Sequence, residues 1–306
     1  MSEKAAGFTD IRSGGWIDRL APVWLRPFLK LARLDRPIGT WLLLFPCWWG
    51  LALASRGWPD PALAIAFAVG AVVMRGAGCT YNDMVDREFD ARVERTRGRP
   101  LPSGAISLRG AAVFLALQLL AGLAILFTFN TITIALGIAS LALVFTYPFM
   151  KRVTWWPQAF LGLTFNWGVL MGWSAVTGDI TLPALLLYTG AIAWTIGYDT
   201  IYAHQDKEDD ALIGLRSTAL LFGAASGRWI TSFYVLALVL FAAAGVAANL
   251  AWPYWIALAV ASLQLGWQVH VLKLDDPADC LMHFRSNRWV GWILLAGIVA
   301  GRLFAA

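Results

Sequence analysis

The stretch Tyr81-Asn-Asp-Met-Val-Asp-Arg-Glu-Phe-Asp90, running on to Arg99-Pro-Leu-Pro-Ser-Gly104, decides how the chain is read. It follows an apolar run without a break and packs Asn82, Asp83, Asp86, Glu88 and Asp90 into nine positions. If the helix continues, Asn82, Asp86 and Asp90 are spaced i, i+4, i+8. Four residues turn about 400°, so the three side chains share one face. Neighbours then lie about 6 Å apart along the axis. Such a row of hard oxygen donors is the kind Mg²⁺ prefers when it also holds a phosphate. The alternative is an ordinary solvated helix end.

Composition sets the surroundings of this row. The 306 residues are 59% hydrophobic, include 17 Trp, and are only 14% charged. A soluble domain carries about 25% charged residues. The apolar residues come in long blocks, which predicts an all-α integral membrane protein folded as one helical bundle. The net charge of +5 lies in residues that flank apolar segments. These are topology determinants rather than a nucleic-acid surface. Cys47, Cys79 and Cys280 are too far apart for a zinc or disulfide framework, and His204, His270 and His283 lack ligand spacing.

Residues 1–36 form an N-terminal segment. In it Trp16, Leu20, Trp24, Leu25 and Phe28 recur at roughly helical spacing among Arg19, Arg26 and Lys30. That pattern predicts an amphipathic helix on the membrane surface. Glu3, Asp10 and Asp18 argue against a mitochondrial transit peptide, and no short apolar core with a cleavage site marks a signal peptide. Residues 37–306 form the transmembrane domain. The expected spans are 37–55, 61–81, 108–128, 131–148, 157–177, 183–203, 226–248, 252–272 and 289–304. Nine crossings put the N-terminus and loops 82–107, 149–156, 204–225 and 273–288 on one side, with nearly all the Lys and Arg, among them Arg95. The positive-inside rule makes that side cytoplasmic. The resulting expectation is a multi-pass protein of a bacterial cytoplasmic (inner) membrane, with its N-terminus and active site facing the cytoplasm.

A second acidic cluster, Tyr198-Asp-Thr-Ile-Tyr-Ala-His-Gln-Asp206-Lys-Glu-Asp-Asp210, follows another apolar span on the same side and leads into Ile213-Gly-Leu-Arg-Ser-Thr218. Asp206 and Asp210 repeat the i, i+4 spacing. Carboxylates cost about 2.5–3.5 kcal/mol each at the centre of a span, so two rows at span ends point to function. Mg²⁺ held by such rows can hold a diphosphate and stabilise the charge that develops as its C–O bond breaks. A polyprenyl chain can lie among apolar helices with its head at the rim. The allylic cation then needs a dry pocket, and aromatic faces stabilise it.

At these two clusters, and at Arg33-Leu-Asp-Arg-Pro-Ile-Gly-Thr-Trp-Leu-Leu-Leu-Phe-Pro46 and Tyr147-Pro-Phe-Met-Lys-Arg152, the sequence closely resembles the UbiA family of membrane prenyltransferases. The likeness runs from about residue 30 to the C-terminus. It is closest to the branch that prenylates 4-hydroxybenzoate in ubiquinone biosynthesis. The resemblance implies nine helices around a central cavity with a cap from the aspartate-rich loops. It implies transfer of a polyprenyl group from polyprenyl diphosphate to the ring of 4-hydroxybenzoate, ortho to its hydroxyl, with Mg²⁺ as cofactor. Carried over by position, Asn82, Asp86, Asp90, Asp206 and Asp210 are the metal ligands, and Asp86, Asp206 and Arg152 are the catalytic residues. Asp83 is about 100° off the Asn82 face, which suits orienting a basic residue. Other acceptors remain open: homogentisate, dihydroxynaphthoate, haem or a chlorophyllide. A cation-coupled transporter is the reading from a different class, although coupling-ion sites usually lie near the midplane.

The basic residues divide between roles. Lys151 and Arg152 serve either topology or a clamp on diphosphate or on the aromatic carboxylate. Arg36 and Arg33 are alternative carboxylate partners or snorkelling side chains. Arg75 lies seven residues before Asn82, near the same face, where an Arg is costly and so faces a cavity or an acid. Lys207 joins the substrate-binding set, and Tyr147 and Tyr198 lie near the cation or in the core.

Overall fold

A computed structural model of the chain describes residues 14–93 and 96–305. Glu3, Asp10 and Arg95 lie outside the described residues. Helices and their connecting turns account for the described chain, with no strand among the described residues. Contacts divide it into two compact units, Met1–Thr40 with Gly70–Ile125, and Trp41–Val69 with Leu126–Ala306.

The elements follow the apolar blocks: α1 Trp16–Leu20, α2 Arg26–Leu31, α3 Ile38–Ala54, α4 Pro61–Asp90, α5 Leu108–Leu126, α6 Thr131–Val153, α7 Pro157–Asn166 and α8 Gly168–Thr177. Then come α9 Leu182–Ala203, α10 Lys207–Leu212, α11 Thr218–Phe222, α12 Ser226–Ala247, α13 Trp252–Val271 and α14 Pro277–Leu303. Among the described residues five stretches, 61–90, 108–126, 131–153, 157–177 and 218–247, are long and apolar enough to cross a membrane.

Three details differ from the sequence pattern. The amphipathic segment is two short helices rather than one, because Ala21 before Pro22 is extended (ψ 145°). The stretch 157–177 is split at Trp167 into α7 and α8. The last helix begins at Pro277, well before residue 289, where the Asp276 side chain accepts from the Ala278 and Asp279 amides.

In the first unit, Leu31, Leu101, Ile106 and Ala111 are buried together, with Phe28, Met84 and Phe114 against them. This core fastens the chain after Asp90 onto α2, α4 and α5. In the second unit, α3 and α8 touch through glycines. A β-carbon at Gly172 would come within 2.7 Å of the Leu51 amide nitrogen, and one at Gly168 within 3.1 Å of that of Cys47. Gly168 and Gly172 form a G-x-x-x-G pair, the pattern that lets membrane helices approach closely. Polar pairs join other helices: Thr133 and Ser174 hydroxyls at 2.8 Å, and Trp194 Nε1 donating to Asn287 at 2.8 Å. Arg302 donates to the Leu53 carbonyl and, at 3.0 Å, to that of Ala248, the C-terminal ends of α3 and α12. A cation there matches the negative ends of both helices.

Candidate active site

The first acidic row sits on one unbroken helix, α4, which runs from the apolar block to Asp90. Asn82 Nδ2 donates to Asp86 Oδ2 at 3.2 Å, so the i, i+4 pair is in contact, and Asp86 is fully buried. Asp83 faces elsewhere. Both of its oxygens accept from Arg33 Nη2, at 2.8 and 2.9 Å. Arg99 Nη1 bonds Asp90 at 2.8 Å and reaches Asp83 at 3.4 Å. Asp90 also accepts through its carbonyl from Thr96 Oγ1 at 2.9 Å. The Arg99 segment thus folds back onto the row it follows, and Asp90 carries a cation partner.

Arg75 belongs to the same unit. A β-carbon at Gly39 would lie 2.7 Å from Arg75 Nη2. The glycine leaves the space that the guanidinium occupies. Arg36 lies beside the buried Asp35, Nε to Oδ2 at 3.3 Å.

The second row differs from the first in its backbone. The sequence puts Asp206 and Asp210 at i, i+4 spacing just beyond a span expected to end at residue 203, and α9 ends there, at Ala203. A 3₁₀ turn then covers His204–Asp206, and Asp206 (φ −114°, ψ 9°) is the N-cap of α10. Glu208, Asp209 and Asp210 then crowd the first turn of α10, where the helix dipole favours negative charge. His204 is buried next to this row. Burial, helped by Lys207 and opposed by Asp275, pushes its pKa down to about 4, so it is neutral near pH 7.

Tyr198 is 1% exposed, accepts from Thr195 Oγ1 at 3.2 Å, and meets the rings of Trp194 and Phe284. Tyr202, one turn on, is half-buried against Phe284 at 4.6 Å. Tyr147, Lys151 and Arg152 are half-buried on the last turns of α6, with Arg152 5.6 Å over the Phe149 ring. Lys207 is the first residue of α10.

The donor chemistry fits Mg²⁺. The Asn82 amide and the Asp86 carboxylate adjoin on one face of α4, Nδ2 to Oδ2, and both side chains carry hard oxygen atoms. Among the described residues no three His, Cys, Asp or Glu side chains converge as a cage. A site of one or two carboxylates completed by phosphate oxygens is the arrangement Mg²⁺ commonly takes.

Residues 43–300 match the UbiA prenyltransferase family. This chain belongs to that family. It is 49% identical over 305 residues to the mitochondrial 4-hydroxybenzoate polyprenyltransferase of Arabidopsis thaliana, covering 99% of this chain and 75% of that one. The Bos taurus protein of the same name is 51% identical over 289 residues, covering 94% and 78%. Among solved structures, the apo form of a UbiA homologue from Aeropyrum pernix K1 aligns at TM-score 0.74 and 30% identity, covering 86% of this chain and 98% of that one. A UbiA homologue from Archaeoglobus fulgidus bound to GPP and Mg²⁺ aligns at 0.67 and 17%, covering 88% and 99%. These relatives share the fold.

One expectation is corrected. The chain was predicted to sit in a bacterial cytoplasmic (inner) membrane, whereas the curated relatives from Arabidopsis thaliana, Caenorhabditis elegans and Bos taurus are mitochondrial by name. Loop charge determines which side of a bilayer a loop occupies, not which bilayer the protein enters. Two features of this UbiA chain escape a reading for charged motifs. Gly39 leaves the volume that the Arg75 guanidinium fills, and Gln158 and Thr200 hold the segment after the second row through neutral hydrogen bonds.

Proposed function

We propose that this chain transfers a polyprenyl group from polyprenyl diphosphate to 4-hydroxybenzoate, giving 3-polyprenyl-4-hydroxybenzoate and diphosphate in ubiquinone biosynthesis. The observation that carries this is near-full-length identity of about one half to relatives named for that reaction.

In this reading Asn82, Asp86 and Asp90 hold Mg²⁺ on the first row, and Asp206 and Asp210 hold it on the second. Bound Mg²⁺ neutralises the diphosphate and makes it a better leaving group. Lys151, Arg152 and Lys207 neutralise its remaining oxygens, and Arg99 releases Asp90 as the head group enters. Arg36 and Arg75 orient the acceptor carboxylate, a task for which the planar guanidinium is suited. Tyr147 lines the path of the allylic cation, while Tyr198 is packed in the core, and the phenol ring attacks the cation ortho to its hydroxyl. Transfer of the ring proton to a carboxylate, the departing diphosphate or water then restores aromaticity.

The same proposal takes the nine apolar segments as membrane spans and puts both aspartate-bearing segments on the basic side. The amphipathic stretch 16–30 rests on the membrane surface, with Trp16, Leu20, Val23 and Trp24 exposed as an apolar face. The acceptor is tested by mass analysis of products from 4-hydroxybenzoate, homogentisate and dihydroxynaphthoate offered in parallel with one prenyl diphosphate. Product from 4-hydroxybenzoate is expected; product from another acceptor alone would reassign the reaction.

A further inference from the structure

Each residue of Ile213-Gly-Leu-Arg-Ser-Thr218, which follows the second acidic row, closes a specific bond. The Ile213 amide donates to the Asp209 carbonyl at 3.1 Å. Gly214 takes φ +75°, and its amide reaches the Ala211 carbonyl at 3.4 Å. The Leu215 amide donates to the Asp210 carbonyl at 2.9 Å. This is the Schellman ending of a helix, which calls for glycine at the left-handed position.

The next residue caps a different helix. The Arg216 amide donates to the Lys151 carbonyl at 2.8 Å, and its Nη1 donates to the Val153 carbonyl at 2.7 Å. Its guanidinium lies 5.5 Å over the Trp155 ring. Lys151 and Val153 are in the last turn of α6, whose carbonyls have no partner within their own helix. A cation there also matches the helix dipole. Ser217 Oγ accepts from the Leu220 amide at 3.3 Å and starts α11. The Thr218 amide donates to Gln158 Oε1 at 3.0 Å, and its hydroxyl pairs with that of Thr200 at 2.7 Å. Adjacent amides, of Leu215 and Arg216, therefore hold the carbonyls of Asp210 and Lys151.

We propose that Arg216 is a positioning residue. It fixes the spacing between the acidic pair Asp206 and Asp210 and the basic pair Lys151 and Arg152, so that both pairs engage one diphosphate head group. The guanidinium itself is committed to a protein carbonyl and a Trp ring rather than to substrate. The proposal rests on the assignment of those four residues to the donor's head group.

The test uses the full chain in lipid nanodiscs, with Cys47, Cys79 and Cys280 replaced by Ala and spin labels at Thr154→Cys and Ala211→Cys. The inter-label distance is narrow with Arg216 present and broadens in Arg216→Ala. In the unlabelled protein, Arg216→Ala raises KM for the prenyl diphosphate by about tenfold or more, because misplacement of a binding group is costly. KM for the aromatic acceptor stays unchanged, and Arg216→Lys restores much of the loss. An unchanged distance distribution overturns the proposal. So does a fall in melting temperature with both KM values unaltered. If Arg216→Ala does not fold, Trp155→Ala, which removes only the surface under the guanidinium, is read by the same distance. A wild-type protein that makes no prenylated 4-hydroxybenzoate would refute the proposed reaction, while the label distances still judge whether Arg216 fixes the spacing.

Discussion

Arg33 holds both oxygens of Asp83 from one nitrogen, at 2.8 and 2.9 Å, across fifty residues of chain. Arg33 does so with φ at +59°, a backbone state that non-glycine residues rarely take. Both side chains are buried. The pair sets the end of α2 against α4 one position from Asn82, so a buried ion pair adjoins the first acidic row.

Asp83→Ala leaves the Arg33 guanidinium buried without this partner. Breaking a buried pair costs about 3–5 kcal/mol. A clear fall in thermal stability in detergent is expected. The Mg²⁺ concentration for half-maximal turnover is expected to stay near that of wild type in the protein that remains folded. A large shift in that concentration would make Asp83 a metal ligand instead.

Gly39→Ala adds a methyl where the Arg75 guanidinium lies. Arg75 is flexible enough to move aside, so the fold is expected to survive with little change in melting temperature. If Arg75 orients the acceptor carboxylate, KM for 4-hydroxybenzoate rises several-fold and the donor KM does not. Wild-type kinetics in Gly39→Ala would remove Arg75 from the acceptor site.

His283 lies fully buried on α14, with Nε2 3.5 Å from Asp279. Burial lowers its pKa below 6.5, and Asp279 offsets this only partly. The folded state thus takes up the proton less readily than the unfolded state. Its contribution to stability is intact above about pH 6.5 and is lost as pH falls through the lowered folded value. His283→Gln is expected to flatten the acid limb of melting temperature against pH. An identical slope in both proteins would locate the acid sensitivity elsewhere.

The apolar blocks carried most of the fold because spans must satisfy their backbone within helices. Helix occupies the apolar blocks, with a break at Trp167 and an early start of the last helix at Pro277, and α4 continues to Asp90 as the Asn82, Asp86 and Asp90 spacing required. The break at His204–Asp206 was not legible, because i, i+4 spacing is preserved whether a helix continues or restarts at an N-cap. Charge identified Asp83 and Arg33 separately, but their pairing needs the turn at Arg33. The roles of Gly39 and Gln158 depend on what lies opposite them, which no local pattern encodes. Loop charge gave a sidedness and was over-read into a bacterial membrane.

The central claim is tested most directly with labelled 4-hydroxybenzoate, a polyprenyl diphosphate and membranes containing either this protein or its Asp86→Asn variant, each with Mg²⁺ or a chelator. The account predicts that label enters a lipid-soluble product only with wild-type protein and Mg²⁺, while Asp86→Asn remains folded and inactive. Wild-type turnover in Asp86→Asn, or product formed equally under the chelator, would contradict it.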